Sequence, residues 1–487
     1  MEALMPNSRS VLVIGGGVAG LSTALLLAQD GHRVTVLERD AAPAPEPDRA
    51  WDGWDRRGCA QFRLPHYFLP RFRQQLEAEL PEPAAALLAA GAVHYDVIGE
   101  LPEALTGGRR ADDDRYTALA VRRPVLEAVL ARAAAAQPGV EVRRGVVVRG
   151  LLTGTPDVPG IPHVVGVLTG DGGEVRADLV IDAGGRRSAL PALLSALGGP
   201  VPVEEREDSG FIYYARFFRT DRAGFPALRG MVHQFYNSVS VLTLPSDDRT
   251  WSVTLVAASR DRELRVLHEP DRWTAVARCF PSSVAWLDGE PVTGVVAMAG
   301  IENRIRHYVV DGRPVVTSVL PVGDAWACTN PSLGRGVSMT LAHAVLLRDA
   351  LRAGDGERPG QRSVRWAEMT GTVLEPWYRS TVAGDGLRLA EIENDRAGVD
   401  YTPGDTRFAP TKALQTAAHR DPDVLRGLLD ISSMQVLPPE VLSRPGMAAR
   451  VRAAAGTNVP QYPVPGPDRA ALRAAAGLDG RTSQHVR

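Results

Sequence analysis

Apolar positions along the chain alternate between strand-like and helix-like spacing. Val11 to Ile14 is a short unbroken apolar run, the pattern of a parallel strand covered on both faces, and Leu21 to Ala28 continues with helical spacing. "RVTVLERD" predicts a second strand ending at Glu38. "VRRPVLEAVLARAAAA", Val121 to Ala136, reads as a helix opened by Pro124, whose missing N–H is not needed in a first helical turn. Strands recur in "VEVRRGVVVRGLLTG" and "VVGVLTGDGGEVRADLVIDAGG", with a hairpin at Gly170 to Gly173. The last of these runs ends on Asp182, where a strand tip would meet a ligand. From Phe211 to Ser259 the aromatic-rich stretches "FIYYARFFR", "MVHQFYNSVSVLTL" and "WSVTLVAAS" predict three adjacent strands, with one face buried or lining a cavity and "PSDDR" joining the last two. "DRWTAVARCFPSSVAWL" is expected to be helical, and "IRHYVVDGRPVVTSVLPVGDA" to return through another hairpin. After Leu351 helical periodicity dominates. The last thirty-odd residues, rich in Pro and Gly, are expected to form a surface arm or a loosely held tail.

At 487 residues and 52.2 kDa the chain exceeds one simple core, so two or three domains are expected. A hydrophobic content of 44%, a charged content of 23% and a net charge of −2 describe an ordinary soluble enzyme without the basic face that nucleic acid requires. The basic residues are almost all Arg, Lys412 being the single lysine, which fits the codon usage of a GC-rich genome. Cys59, Cys279 and Cys328 lie far apart and form no CxxC pair, which argues against a disulfide scaffold, a metal site and a redox-active thiol pair. The opening "MEALMPNSRS" leaves no room for the apolar core of a signal peptide, and no apolar run reaches the ~18 residues of a membrane span, so a cytoplasmic protein is expected.

Candidate chemistry sits in two glycine-rich loops some three hundred residues apart. In "VLVIGGGVAGLSTALLLA", Gly15, Gly17 and Gly20 satisfy GxGxxG between a strand and a helix, with Glu38 about twenty residues on. Gly15 would make the tight turn, Gly17 would let backbone approach a pyrophosphate, and Gly20 would let the helix pack on the sheet. The helix N-terminus faces the phosphates, and Glu38 can accept from ribose hydroxyls. The second loop, "VGDAWACTNPSLGRGVSM", carries Asp324, Pro331, Gly334 and Gly336 ahead of a long helix. One elongated cofactor accounts for both. FAD would have its pyrophosphate and adenosine at the first loop and its ribityl chain on Asp324. Its ring would lie against the amides of Gly334 to Val337, whose partial positive charge favours the reduced anion. Arg122 and Arg123, taken alone, read as a solvated helix start.

Together, "VLVIGGGVAG", "VRRPVLEAVL", "DLVIDAGGRRS" and "VGDAWACTNPSLGRG" resemble the single-component FAD monooxygenases of the p-hydroxybenzoate hydroxylase fold, nearest the branch of bacterial polyether epoxidases and squalene epoxidase-like oxidoreductases. The resemblance runs from about Val11 to Ala350 and implies an α/β fold. Its parts would be a Rossmann-like FAD-binding domain over 1–200, an inserted mixed β-sheet substrate domain over 201–300, a return to the FAD-binding domain over 301–355, and a helical C-terminal region with a tail over 356–487. It implies FAD contacts from Gly15, Gly17, Val18, Ala19, Gly20, Glu38 and Arg39. It adds Arg123 at the start of the family's "RxxLE" helix, Asp324 of its "GD" motif, and Pro331, Gly334, Arg335, Gly336 and Val337 under the isoalloxazine. "CAQFRLPHYFLPRF" is similar to the branch's "PQGRHxHxLL" segment at Gln61, Arg63 and His66, with Leu64 where the branch has another His. Asp182-Ala183-Gly184-Gly185 departs from the family's Gly-Ala-Asp-Gly by putting glycine at the Asp position, which loosens the expectation of direct reduction by a nicotinamide nucleotide.

The implied function is a flavoprotein monooxygenase. It would take O2 and electrons from NADPH or NADH, directly or through a partner flavin reductase, to hydroxylate or epoxidise a largely apolar small molecule in secondary metabolism. The aromatic strands would roof the substrate pocket, with Tyr213 and Gln234 as polar contacts, and no acid–base residue stands out. Three alternatives remain. One is a flavin-dependent reductase or desaturase of the geranylgeranyl-reductase type. Another is a flavin halogenase, disfavoured because the chain has no WxWxIP segment and its single lysine lies far downstream of the expected position. The third is a non-catalytic flavoprotein, a redox-sensing binding module, which would consume no NAD(P)H with any candidate substrate.

Overall fold

The computed structural model describes residues 8–354, 356–399, 401 and 408–478. The short apolar runs pair into a five-stranded parallel sheet in the order Val319–Pro321, Leu179–Asp182, Ser10–Ile14, Arg33–Glu38, Val140–Arg144. The inner strands Ser10–Ile14 and Leu179–Asp182 carry nearly unbroken apolar runs because both faces are covered, whereas the edge strand Val140–Arg144 alternates, with Glu141 and Arg143 exposed. On one face Val11, Val13, Val36, Ile181 and Leu320 pack against Ala24, Leu27, Leu347 and Trp366 of the helices Val18–Gln29, Arg335–Ala353 and Pro359–Val373. On the other, Leu12, Leu37 and Val180 meet Leu151, Val164 and Val167 of a small antiparallel sheet whose hairpin turns at Gly170 to Gly173. The chain leaves Ser10–Ile14 to one side and returns to it from the other, so a crevice opens beyond the carboxyl end of that strand, where the order reverses.

A second, six-stranded sheet has its pairings antiparallel, in the order His233–Phe235, Val239–Pro245, Thr250–Ala258, Phe211–Arg219, with Glu290–Pro291 and Val296–Met298 both paired to the last. The stretch expected as one strand from Met231 to Leu244 is two. The Tyr236 amide bonds the Val239 carbonyl at 3.0 Å, closing a turn that folds His233–Phe235 back onto its neighbour. The expected helix from Asp271 to Leu287 also divides, into Pro270–Ala277 and a 3-10 turn at Val284–Leu287, because Pro281 supplies no amide and disfavours helical geometry before it. Every residue of Val239–Pro245 and Thr250–Ala258 is buried. One face of the sheet (Tyr214, Val241, Leu255) packs on Trp273, Phe280, Leu414, Leu425 and Leu472, and the other (Tyr213, Leu242, Val256) clusters with Ile301 and Ile392.

The C-terminal stretch is docked rather than loose over 468–478. Asp468 caps the helix Arg469–Ala475 by accepting from the Ala471 amide at 2.8 Å, Leu472 is buried, and Arg272 donates to the Ala476 carbonyl at 2.7 Å. Residues 479–487 of the expected tail lie outside the described residues. Arg122, read from sequence as solvated, instead ties the start of the helix Arg123–Ala136 to the turn between Val239–Pro245 and Thr250–Ala258. Its Nε lies 3.0 Å from each oxygen of the buried Asp247 carboxylate, and its guanidinium lies 4.8 Å from the Trp51 ring centroid. Among the described residues no helix is long and apolar enough to cross a membrane.

Candidate active site

The first loop is shaped by what a side chain would strike. Gly15 holds φ +105°, and a Cβ there would come within 2.5 Å of the Ala183 carbonyl oxygen. A Cβ on Gly20 would lie 1.8 Å from the Gly15 oxygen, so the helix can sit this close to the turn only with glycine. At Gly17 a Cβ would meet nothing within 4 Å. That open space adjoins the N-terminus of Val18–Gln29, which no side chain caps, leaving its first amides unpaired.

Glu38 has more to do than the sequence suggests. One carboxylate oxygen accepts from the Gly16 amide at 2.7 Å and from Arg56, and the other accepts from the Asp40 amide at 2.8 Å. Arg56 also donates to the Gly16 carbonyl at 2.8 Å and pairs with Glu127, which Arg123 holds from its other side. Two buried carboxylates are thus neutralised by two arginines. Burial alone would push the Glu127 carboxyl up, but Arg123 and Arg56 hold it below the usual carboxylate range. Arg123 is therefore held in this network, largely enclosed, and is not a solvated helix start. Arg56 was not picked out from sequence, because it lies in a stretch without periodicity between Pro47 and Pro70.

The second loop closes the far side of the crevice. Asp324 sits in a 3-10 turn, Gly323–Ala325, just past Val319–Pro321. Burial raises the pKa of its carboxyl against the fields of Arg186, Arg123 and Arg304, and among the described residues no donor hydrogen-bonds it. Gly334 takes φ +66° to turn the chain into the helix Arg335–Ala353, whose N-terminus also lacks a side-chain cap. The Arg335 side chain turns away toward the helix Glu375–Ala397, donating to the Thr381 hydroxyl at 2.9 Å and lying 5.2 Å from the Trp377 ring centroid. What Arg335 offers at the loop is its backbone.

Both loops line one cavity of about 1110 Å³, at or above the ~300–1,000 Å³ of a typical ligand pocket. Gly15, Gly17, Val18, Ala19, Glu38, Arg39, Arg123, Asp324, Pro331, Gly334, Arg335, Gly336 and Val337 all border it, while Gly20 stays behind the loop. Its two uncapped helix N-termini, the open space over Gly17 and the unmet Asp324 carboxylate fit an elongated dinucleotide such as FAD. The 59–72 segment reaches the cavity as well, through Gln61, Leu64 and His66. His66 Nδ1 lies 2.8 Å from the Leu64 carbonyl and so carries the proton, leaving Nε2 to accept from Arg123 at 3.3 Å. Burial and Arg123 push His66 down to about 3, so the imidazole is neutral. Asp182 does not meet the cavity: its carboxylate accepts from the Gly184 amide at 3.0 Å and from Ser188, while Ala183 to Ala189 form the wall.

The second sheet roofs the remainder. Residues opposite one another across an antiparallel sheet share a face. The register therefore puts Met298, Tyr213, Val256, Ser240 and Phe235 in one row on the cavity side, and Ala215, Thr254, Leu242 and His233 in the next such row. Tyr213 donates to Asn330 at 2.6 Å, and Asn330 and Asn303 donate to the two oxygens of Asp385 at 2.9 and 3.2 Å. Burial raises Asp385 to about 6. Gln234 borders the cavity, but its register partners Val241, Leu255 and Tyr214 lie in the core behind the sheet. The neighbouring His233 is the residue the roof presents, and sequence reasoning missed it. Lys412 also reaches the cavity wall despite its late position, paired with Glu391 and lying 4.9 Å from the Tyr462 ring centroid.

Residues 10–97 match the family model of FAD dependent oxidoreductases. The chain carries a flavin-dependent oxidoreductase domain. Protein Rv3254 of Mycobacterium tuberculosis is 28% identical over 407 residues, covering 78% of this chain and 80% of that protein. Among solved structures, PqsL, a probable FAD-dependent monooxygenase from Pseudomonas aeruginosa, superimposes with a TM-score of 0.58 at 17% identity over 80% of this chain and 99% of that one. CmlS, a flavin-dependent halogenase, does so with a TM-score of 0.59 at 18% identity over 88% and 77%. At these identities the likeness is one of fold. This chain has that fold: a Rossmann-like FAD-binding layer, an inserted sheet and a helical C-terminal region.

Proposed function

We propose that this chain is an FAD-dependent monooxygenase acting on a largely apolar small molecule by hydroxylation or epoxidation, in the cytoplasm and in secondary metabolism, of the epoxidase-like branch. The observation that carries the reading is that both glycine loops border a single cavity whose far wall is an apolar sheet. In this reading 1–200 and 301–355 hold the cofactor, 201–300 holds the substrate, and 356–487 closes the site. Gly15, Gly17, Val18 and Ala19 would receive the pyrophosphate, Glu38 and Arg39 the adenosine end, and Arg123 and Asp324 the chain leading to the ring. Pro331 and the backbone from Gly334 to Val337 would lie under the ring. When bound, FAD would supply electron storage and oxygen activation, fed by NADPH or NADH directly or through a partner reductase.

The protein's own contribution is positioning and exclusion. Amides at the start of Arg335–Ala353 would stabilise negative charge on the bound flavin. The network of Tyr213, Asn330 and Asp385 fixes the wall beside that loop, so the substrate meets a preorganised surface. Leu242, Val256, Met298 and Phe235 keep water from the reacting centre. Gln234 is a weaker substrate contact than Tyr213, because its register turns it toward the core.

A second reading, a halogenase, is favoured by Lys412 at the cavity wall and by the likeness to CmlS. A reductase or desaturase is the third. One experiment separates them: FAD-loaded protein, NADPH, a flavin reductase, sodium chloride and bromide, ¹⁸O-labelled O2 and a panel of apolar aromatic and polyene compounds, read by mass spectrometry. A monooxygenase adds one labelled oxygen to the product. Halogen in the product, or loss or gain of hydrogen without label, would replace this reading with the second or the third.

A further inference from the structure

Apart from Gln234, whose Oε1 is also unmet but whose register partners lie in the core behind the sheet, the roof of the cavity is apolar except at four positions, and two of these are already occupied. Tyr213 is bound to Asn330, and Ser240 accepts from Arg388 Nε at 3.1 Å. The other two, His233 and Thr254, share one cross-strand row with Leu242 between them. Among the described residues neither ring nitrogen of His233 has a hydrogen-bond partner, and neither has the Thr254 hydroxyl, although all three atoms are enclosed and both residues border the cavity. Thr254 is 3% exposed. Enclosed polar atoms left unmet are costly, and where they face a ligand cavity they mark what the ligand brings.

We infer that the substrate carries a neutral hydrogen-bonding group, a hydroxyl, carbonyl or amide on an apolar body, and that His233 and Thr254 receive it. This rests on the reading of the cavity as a substrate site. Burial, with Arg388 nearby, holds the imidazole neutral, its pKa pushed down to about 3, so it offers one donor and one acceptor and no charge. The cations beside it are committed. Arg388 donates to Ser240, Tyr462 and the carbonyls of Tyr236 and Asn237, and Lys412 is paired with Glu391. Among the described residues a carboxylate would find no open counter-charge here, and a pure hydrocarbon would leave three polar atoms unmet. A group that can both donate and accept suits the pair.

The test is isothermal calorimetry on the full chain, with and without FAD, using 2-naphthol, naphthalene and 2-naphthoate at pH 7. We expect 2-naphthol to bind at least about tenfold more tightly than either of the others, the effect of one well-made hydrogen bond. His233→Phe and Thr254→Val should each shrink that preference to about threefold or less. FAD uptake, read from visible absorbance, reports whether each variant is folded; should His233→Phe fail to fold, the similarly shaped Thr254→Val decides. Tightest binding of 2-naphthoate, equal or undetectable binding of all three probes, or a preference unchanged in the folded variants would overturn the inference. A chain that takes up no FAD yet keeps the naphthol preference would sink the monooxygenase reading and leave this one standing.

Discussion

Gly17 and Gly20 stand three residues apart in one motif, and the geometry predicts opposite consequences for the same substitution. Gly20→Ala puts a Cβ 1.8 Å from the Gly15 carbonyl oxygen, a backbone atom that cannot swing aside as a side chain can. Alanine gains about 1 kcal/mol of helix propensity over glycine, whereas forcing atoms into a packed site costs about 1–3 kcal/mol and more when backbone must shift. The net expectation is a loss of about 2 kcal/mol in the protein without FAD. Gly17 has φ −90° and ψ −170°, extended backbone that alanine adopts, and its Cβ would meet nothing within 4 Å. Gly17→Ala should therefore leave the FAD-free protein within about 0.5 kcal/mol of wild type. That methyl would stand where phosphate must approach the helix amides, whose charge-assisted hydrogen bonds are worth about 1.5–3 kcal/mol each. Loss of one or two predicts a fall in FAD affinity of roughly tenfold to ten-thousandfold. Urea unfolding without FAD gives the first number, and flavin fluorescence titration gives the second. If Gly17→Ala unfolds as easily as Gly20→Ala, or binds FAD as wild type does, the assignment of pyrophosphate to this loop is wrong.

Three further outcomes follow from the charges. Arg56→Met leaves Glu38 and Glu127 buried with one cation fewer, and should cost about 3–5 kcal/mol in urea unfolding together with most of the FAD affinity. Asp324→Asn removes a carboxylate that burial disfavours and no donor meets, so thermal melting should rise without FAD while FAD binding weakens by about tenfold. Finally, burial pushes His66, His233 and His343 (the last stacked on Trp366, ring centroids 4.7 Å apart) down to about 3, below the ordinary imidazole value of about 6.5. Depressed values mean the unfolded chain binds the extra protons, so stability is present above pH 6.5 and is lost as pH falls toward 3. At pH 5.5 this amounts to about 1.4 kcal/mol for each histidine. Asp385, raised to about 6, acts the opposite way and recovers less than about 1 kcal/mol over the same interval. Urea midpoints that do not fall between pH 7 and 5.5 would contradict the neutral assignments.

The two glycine loops were legible in the sequence because their chemistry is local: a strand, a turn without Cβ and a helix start lie within a dozen residues of one another. The parallel sheet was legible for a similar reason, since short runs such as Val11 to Ile14 are apolar throughout. His233 was not, because its side of the sheet depends on the turn at Tyr236 to Ser238 and on the register with Leu242, which no local pattern encodes. The same register turns Gln234 toward the core. Arg56 and Lys412 escaped because each finds its partner at a distance, Glu127 and Glu391 respectively, in stretches where spacing says nothing. The strands from Val239 to Ala258 were expected to bury or line a cavity on one face only. They are covered on both because helices far along the chain, including Arg469–Ala475, return to pack behind them.

The central claim is that one elongated flavin nucleotide is held at both ends in a single cavity, and comparison of FAD with its two halves addresses it directly. Equilibrium titration of the flavin-free chain with FAD, FMN and ADP should give one FAD per chain, bound at least about a hundredfold more tightly than either fragment. FMN or ADP binding as tightly as FAD, or no uptake of FAD at all, would contradict it.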